Sequence, residues 1–148
     1  MSERTLQVFI DGVMNYFDHT GRAATVGSPY LVENTTPAAF DYTGIIGISG
    51  PQRGTVYFTA PKLLLKHLLL SLGELDTSVE NAVDLVGEVA NTISGNARVE
   101  FGADFMISTP VVVEGAPDEA HLPQHLRSYV IPVHWKAYSA AVVICLSH

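Results

Sequence analysis

The segment DLVGEVANTISGNA, residues 84–97, has two unlike faces when it is drawn as an α-helix. Successive residues of a helix are about 100° apart, so apolar residues spaced by three and four share one side. With Val86 as the reference, seven further residues lie within about 60° of it: Val79, Ala82, Val83, Val89, Ala90, Ile93 and Ala97. The segment therefore predicts a helix over residues 77–97 that buries one stripe against a core.

The opposite side of this helix carries Asp84, Glu88, Asn91 and Gly95, which we call the polar line. Glu88 and Asn91 are three residues apart, so their side chains can address one small volume above the helix. Glycine inside a helix costs about 0.5–1 kcal/mol relative to alanine, and an exposed position offers no packing reason for it. We therefore conjecture that Gly95 lets another molecule approach closely, whereas Gly87, at the edge of the stripe, allows tight packing. By geometry alone, an ordinary solvated face is the expected interpretation of these residues.

Two more helices are predicted on either side of a glycine-rich region. Residues 2–18 repeat apolar side chains at helical spacing, with Gly21 as a stop. Pro61 suits the first turn of a second helix and Gly73 suits its end. Because leucine occupies most sides of this second helix, we expect it to be largely buried. TSVE at residues 77–80 resembles a capping box, with Thr77 as N-cap and Glu80 bonding back to it.

Short β-rich runs separate and follow these helices. They comprise a strand around PYLVEN, a hairpin flanking GPQRG at residues 50–54, VVVEG at 111–115, and two closing strands near 128–135 and 140–146. Pro132 predicts an edge position or a bulge in the first closing strand, and His134 and Trp135 are expected to pack. The order of elements predicts an α+β fold with an antiparallel sheet, packed against a long N-terminal helix and a central helix pair, in a single domain over residues 1–148.

Composition limits the possible partners and locations. The 148 residues carry a formal net charge of −7, which argues against nucleic acid or an anionic membrane surface as the main partner. The most apolar stretch, LLLKHLLLSL at 63–72, is too short and too charged to span a bilayer. Cys145 is the only cysteine, so we expect a buried free thiol and a reducing compartment. The chain is expected to be soluble and cytoplasmic, without a membrane partner.

The pattern D-x-x-x-E-x-x-N at Asp84, Glu88 and Asn91, running into ISGNA, resembles the signature helix of the CheC/CheX/FliY phosphatases. GIIGISGPQRGTVYFTAP resembles the hairpin before the buried helix of CheX, and STPVVVEG resembles the strand after its signature helix. The similarity extends from about residue 40 to residue 115 and is greatest to CheX. It implies a phosphatase that removes phosphate from the phosphoaspartate of a CheY-type response regulator.

The resemblance also implies a role for each residue of the motif. Glu88 would pair with a lysine of the receiver domain and dock the helix at the phosphorylation site. Asn91 would hold a water in line with the phosphoaspartate, while Asp84 would have a supporting role. Water would attack directly, without a covalent intermediate on this chain. The chain itself would need no cofactor, because the receiver domain brings its own Mg²⁺, and correct placement of the water is what remains to be supplied.

The same resemblance implies one site per chain and a homodimer. Asn15 occurs in the first helix, but Gly12 stands where a second site would need a glutamate. A single signature helix is the CheX arrangement, and CheX proteins pair through their sheets. Two sites per dimer follow from this.

Two alternatives remain open at this stage. The chain could be a non-catalytic module of the same fold that binds a receiver domain or a flagellar component, because fold does not fix function. A metal could also bind at HLPQH through His121 and His125, near Asp118 and Glu119. Pro123 interrupts the helical spacing of that pair and the donor set is not convincing, so we expect a polar surface loop and no metal site.

Overall fold

A computed structural model describes residues 1–147, which form three helices and eight strands. The helices are α1 (Glu3–Asp18), α2 (Lys62–Ser71) and α3 (Val79–Phe101). The strands are β1 (Thr25–Val26), β2 (Tyr30–Glu33), β3 (Tyr42–Ser49), β4 (Arg53–Ala60), β5 (Met106–Ile107), β6 (Val111–Glu114), β7 (Arg127–Trp135) and β8 (Tyr138–Ser147). His148, the last residue of the predicted domain, lies outside the described residues.

All eight strands join one antiparallel sheet, as the sequence predicts. The four long strands form its centre in the order β7-β8-β4-β3. Each margin consists of two short strands in succession, β1 and β2 along β7, and β5 and β6 along β3. The predicted hairpin around GPQRG is β3 and β4, with Gly44 opposite Phe58.

Alternating side chains divide the sheet into two faces with separate cores. The face under the helices includes Val142 and Ile144 of β8, together with residues of α1, α2 and α3. The opposite face includes Val143 and the predicted buried thiol Cys145, and Leu122 from the loop before β7 covers it. Successive side chains of a strand point to opposite faces of the sheet. Because both faces are buried, the central strands are apolar at consecutive positions.

Helix α3 lies very close to β3 and β6 because a glycine removes a side chain from each contact. A Cβ added at Gly44 would lie 2.5 Å from the carbonyl oxygen of Val86. A Cβ at Gly87 would lie 3.1 Å from Cγ2 of Val112, which agrees with the tight packing expected there. The inner stripe of α3 is thus fixed on the sheet, and this fixes which side of the helix faces outward.

The predicted boundaries of α3 are wrong at both ends. Ser78 is the N-cap, since its Oγ accepts a hydrogen bond from the backbone N–H of Asn81. Thr77 lies outside the helix, because Asp76 accepts from the N–H of Ser78 and moves the start one residue later. Glu80 is consequently out of register for the capping box. At the other end the helix continues past Ala97 to Phe101.

The prediction that α2 is largely buried is also wrong. Four of its leucines are in the core: Leu64, Leu65, Leu68 and Leu69. Leu63, Leu70 and the C-cap residue Leu72 are 57%, 47% and 48% exposed. The helix packs on α3 and β8 with one side only, so its outer leucines have no cover. Pro61 stands just before the helix rather than in its first turn, and Asp41 accepts from the N–H of Lys62 there.

Pro132 does not lie in an edge strand, because β7 pairs with β8 on one side and with β1 and β2 on the other. Its carbonyl oxygen accepts from the N–H of Gly27, 2.9 Å away, in the break between β1 and β2. The N–H and C=O of an antiparallel residue point to the same side, so the missing donor faces this break. Trp135 is fully buried as expected, whereas His134 is exposed rather than packed.

The first residue of α3 differs from its predicted burial. Val79, assigned to the buried stripe by its angle, is 55% exposed because it begins the helix before the sheet reaches it. Among the described residues, no helix combines the length and apolar character needed to cross a bilayer.

Candidate functional site

The polar line lies on the side of α3 that faces away from the sheet. Asp84, Glu88 and Asn91 are exposed and Gly95 is half-buried. At about 1.5 Å per residue, Glu88 and Asn91 are about 4.5 Å apart along the helix axis. A Cβ added at Gly95 would meet nothing within 4 Å, so this position opens onto free space.

The polar line belongs to a helix whose inner side is packed tightly in the core. Val86, Val89, Ala90 and Ile93, on the inner side, are at most 1% exposed. Interiors packed this closely leave little room for the backbone to shift. The backbone positions of Glu88 and Asn91 are therefore held at a fixed spacing on the outer side of the helix.

An acidic cleft of about 320 Å³ borders the polar line on its α2 side. Its acidic residues are Glu74, Asp84 and Glu88, and Asn81 and three leucines complete the wall: Leu69, Leu72 and Leu85. Three carboxylates around one small space attract a cationic group. The cleft fits the ammonium group of a lysine or the guanidinium group of an arginine that enters from outside.

A second cleft, of about 380 Å³, lies on the α1 side of the polar line. Asn15, Tyr16, His19 and Thr20 of the α1 region line it, facing Thr92 and Asn96 of α3. Leu72 lines this cleft as well as the acidic one. Leu72 therefore lies between the two clefts and shares the acidic one with Glu88.

Tyr16 of α1 interacts electrostatically with Glu88 of the polar line. Burial raises the pKa of Tyr16 to about 12, and the negative charge of Glu88 adds to the rise. The ring of Tyr16 meets that of buried Phe17 edge-on, with the ring centroids 5.3 Å apart. The phenol therefore lies close enough to the Glu88 carboxylate for the two groups to interact electrostatically.

The residues of the polar line define what chemistry is available to it. Neither a carboxylate nor a carboxamide at this spacing forms the usual nucleophile–base pair, which combines serine, cysteine or threonine with a base. An amide can donate to one atom and accept from another, and so can orient a water molecule. The pair suits docking and positioning better than covalent catalysis.

The first helix contributes no second pair of this kind. Gly12 is buried against α3, where an added Cβ would lie 3.6 Å from the carbonyl oxygen of Ile93. Asn15 is exposed but has only this glycine where a glutamate would precede it. The described residues therefore contain one Glu–Asn line.

The HLPQH segment is the surface loop that the sequence favours. His121 Nδ1 lies 2.9 Å from Oδ1 of Asp118. Hydrogen bonds from the side chain and the backbone of His121 lower the pKa of Asp118. Within residues 1–147 no group of three or more His, Cys, Asp or Glu side chains could hold a metal ion.

Sequence reasoning missed the flanks of the site. Glu74 and Leu72 come from the turn after α2, and Tyr16 comes from a helix more than fifty residues earlier. The excess of leucine in α2 concealed which leucines face outward. Tyr16 sits at a helical spacing from Gly12 and Val13, but nothing in the sequence indicates that it points at Glu88.

Solved structures with the same architecture are CheC-like and CheX proteins. A CheC-like superfamily protein from Shewanella sp. PV-4 is 26% identical, with all of both chains covered and a TM-score of 0.83. The chemotaxis protein CheX from Vibrio vulnificus is 25% identical, with 97% of this chain and 99% of that chain covered and a TM-score of 0.81. The chain thus has the fold of the CheC-like class of proteins.

The family is narrower than this class. The family profile described as chemotaxis phosphatase CheX matches residues 42–134, which include α3 and the hairpin before it. The chain therefore belongs to the CheX family, a family of chemotaxis phosphatases, and the resemblance drawn from its motif is confirmed. A CheX from Borrelia burgdorferi, solved in complex with CheY, BeF₃ and Mg²⁺, shares the fold at 16% identity, 97% coverage of both chains and a TM-score of 0.75. No curated protein sequence matches the chain significantly.

Proposed function

We propose that this chain hydrolyses the phosphoaspartate of a CheY-type receiver domain in chemotaxis or a related two-component pathway. The observation that carries the proposal is the exposed Glu88–Asn91 pair on a rigid helix, beside a cleft lined by three carboxylates. The matched family is one of chemotaxis phosphatases, and a distant CheX has been solved bound to CheY. We further propose that it acts in the cytoplasm.

Glu88 is the docking residue in this proposal. Its carboxylate lies in the acidic cleft with Asp84 and Glu74, so a lysine beside the phosphorylation site of the receiver would find opposite charge. Asp84 supports the same contact from one turn away. Gly95 leaves open space further along the line, where the receiver backbone can come close.

Asn91 is the catalytic residue, because it would touch the attacking water. The water oxygen attacks phosphorus in line with the bond to the aspartate oxygen. That bond breaks with its electron pair on the aspartate carboxylate, and inorganic phosphate leaves with the oxygen of the water. The chain needs no cofactor for this step, and Mg²⁺ is expected on the receiver domain, where it offsets the charge of the phosphoryl group.

The docking role of Glu88 predicts a defect in receiver binding. Glu88→Ala removes one charge from the acidic cleft, so we expect KM for the phosphorylated receiver to rise about tenfold or more, as for loss of a close charge pair. Release of inorganic phosphate from a phosphorylated receiver domain measures it. Glu100→Ala is the matched control, since Glu100 is also exposed on α3 but lies away from the polar line. Equal KM values for the two variants would contradict the docking role.

The competing proposal is a module of the same fold that binds a receiver domain or a flagellar component without hydrolysis. The complete Glu–Asn pair favours catalysis over it. Binding of the phosphorylated receiver with no change in the lifetime of its phosphate would favour the non-catalytic module instead.

We also propose that the chain forms a homodimer through its sheet. Tyr30 and Leu31 of β2 are 49% and 44% exposed, and Phe40 is exposed near them. With Pro132, Tyr30 and Phe40 line an apolar groove of about 300 Å³ at this margin of the sheet. The polar line lies on the outer side of the helical layer, so pairing at the sheet would leave both sites free.

A further inference from the structure

The polar line is too small to be a whole interface. A specific protein–protein contact covers about 800 Å² on each partner and involves about 20 residues a side. Four residues along one helix supply a small part of that. If the receiver domain docks at Glu88 as proposed above, the structures beside the polar line must supply the rest.

Leu72 is an exposed apolar side chain that adds contact area beside the polar line. It is 48% exposed and lines both the acidic cleft with Glu88 and the cleft with Tyr16. A partner whose cation reaches Glu88 through the acidic cleft therefore passes over Leu72. On the far side of the leucine, Tyr16 offers a neutral phenol on a ring that packs edge-on against Phe17.

The exposed half of the Leu72 side chain is also available for contact with a partner. The turn that carries it is well defined by hydrogen bonds, as the N–H of Leu72 donates to the carbonyl of Leu68 and that of Glu74 to the carbonyl of Leu69. These bonds use the backbone only and leave the outer half of the Leu72 side chain in solvent. Apolar surface is typical of the centre of an interface, whereas the rim is polar.

We infer that Leu72 is a specificity-determining contact, which packs on an apolar side chain of the receiver next to the cation that Glu88 binds. The proposal rests on the proposed phosphatase function and adds to it which receivers are accepted. Receivers with an apolar residue at that place are bound well, and receivers with a charged residue there are bound poorly. Leu72 affects binding and leaves the hydrolysis step unchanged.

The test compares two leucines of equal exposure that differ in position. Leu72→Ser and Leu70→Ser each replace a leucine that is about half exposed at the end of α2, but Leu70 lines neither cleft. Phosphate release from a phosphorylated receiver domain gives KM and kcat. We expect Leu72→Ser to raise KM about fivefold to tenfold with kcat unchanged. The variant no longer buries the exposed half of a leucine side chain when the receiver binds. We expect Leu70→Ser to behave as wild type and Leu72→Met to restore most of the affinity.

Three outcomes separate the proposals. An active wild type in which Leu72→Ser and Leu70→Ser have the same KM overturns the role of Leu72 and leaves the phosphatase function standing. A wild type that releases no phosphate overturns both. If Leu72→Ser lowers the melting temperature more than Leu70→Ser, the near-isosteric Leu72→Asn replaces it, and a wild-type KM for that variant overturns the role of Leu72.

Discussion

Gly44 of β3 faces the inner side of α3, and Gly95 lies on the outer side of that helix. The space around these two glycines differs. At Gly44 the main chain of Val86 fills the space that a Cβ would occupy, with the carbonyl carbon 2.9 Å away. At Gly95 the space is empty, so alanine would fit and would favour the helix. One glycine brings the helix to the sheet, and the other leaves a clearing on its exposed side.

This contrast predicts changes of opposite sign in the free energy of unfolding. Gly44→Ala forces β3 and α3 apart, so we expect a loss of about 1–3 kcal/mol, as for overpacked cores. Gly95→Ala should gain about 0.5–1 kcal/mol, the helix preference of alanine over glycine. Denaturant unfolding of both variants measures the two values. Similar stabilities for the two variants would contradict the packing described for Gly44.

The two cases also mark how far residue-level prediction reaches. The outward direction of Glu88 and Asn91 follows from an angle of about 100° per residue and an apolar stripe opposite, so the sequence suffices for it. The need for glycine at residue 44 comes from Val86, whose place against β3 depends on the tertiary fold. No local pattern encodes that contact.

At the scale of elements, the start of α3 shows local hydrogen bonds deciding a boundary. Thr77 and Ser78 are both good caps, so propensity does not choose between them. The hydrogen bonds of Asp76 decide which residue is the N-cap. Its carboxylate accepts from the N–H of Ser78, and its carbonyl accepts from Asn81 Nδ2. These bonds leave Ser78 as the residue whose side chain reaches the helix.

We therefore expect Ser78→Ala to lower the free energy of unfolding by about 1 kcal/mol, the usual cost of losing an N-cap. Thr77→Ala is the matched control and should change it by less than about 0.5 kcal/mol, as for surface sites without a special role. Thermal or denaturant unfolding distinguishes them. A larger loss for Thr77→Ala would restore the capping box that the sequence suggests.

The helices and the hairpin are predicted well because their signals are local. Periodicity gives α1 and α3, and the glycines around GPQRG give β3 and β4. The exposure of α2 is not predicted, since leucine at Leu63, Leu70 and Leu72 looks like core until the sheet and α3 show which side is covered. A functional surface that is itself apolar is the hardest kind to read from composition.

For the whole molecule, the order of elements predicts the α+β class and the antiparallel sheet, and both are confirmed by the fold. The strand order β7-β8-β4-β3 could not be predicted, because it depends on pairing between β4 and β8, which are far apart in sequence. The flanks of the site likewise bring α1 and the turn after α2 to α3 through contacts between residues far apart in sequence. This is why the helix of the site was foreseen and its surroundings were not.

Dimerisation is the prediction that belongs to this scale. If two chains pair through their sheets, sedimentation should give twice the chain mass at micromolar concentration. Tyr30→Glu places a charge in the apolar groove at this margin and should shift the protein to monomer, whereas Val99→Glu, at an exposed apolar position on α3, should not. A wild-type protein that stays monomeric at all concentrations would refute the dimer.

The central claim is that Asn91 positions the water that removes phosphate from a receiver domain. The direct measurement is the single-turnover rate of phosphate loss from a phosphorylated receiver domain saturated with wild-type protein or with Asn91→Ala. Misplacing a reacting group can cost about a hundredfold, so we expect Asn91→Ala to lose about that factor while receiver affinity stays the same. Equal single-turnover rates for the two proteins would contradict the account.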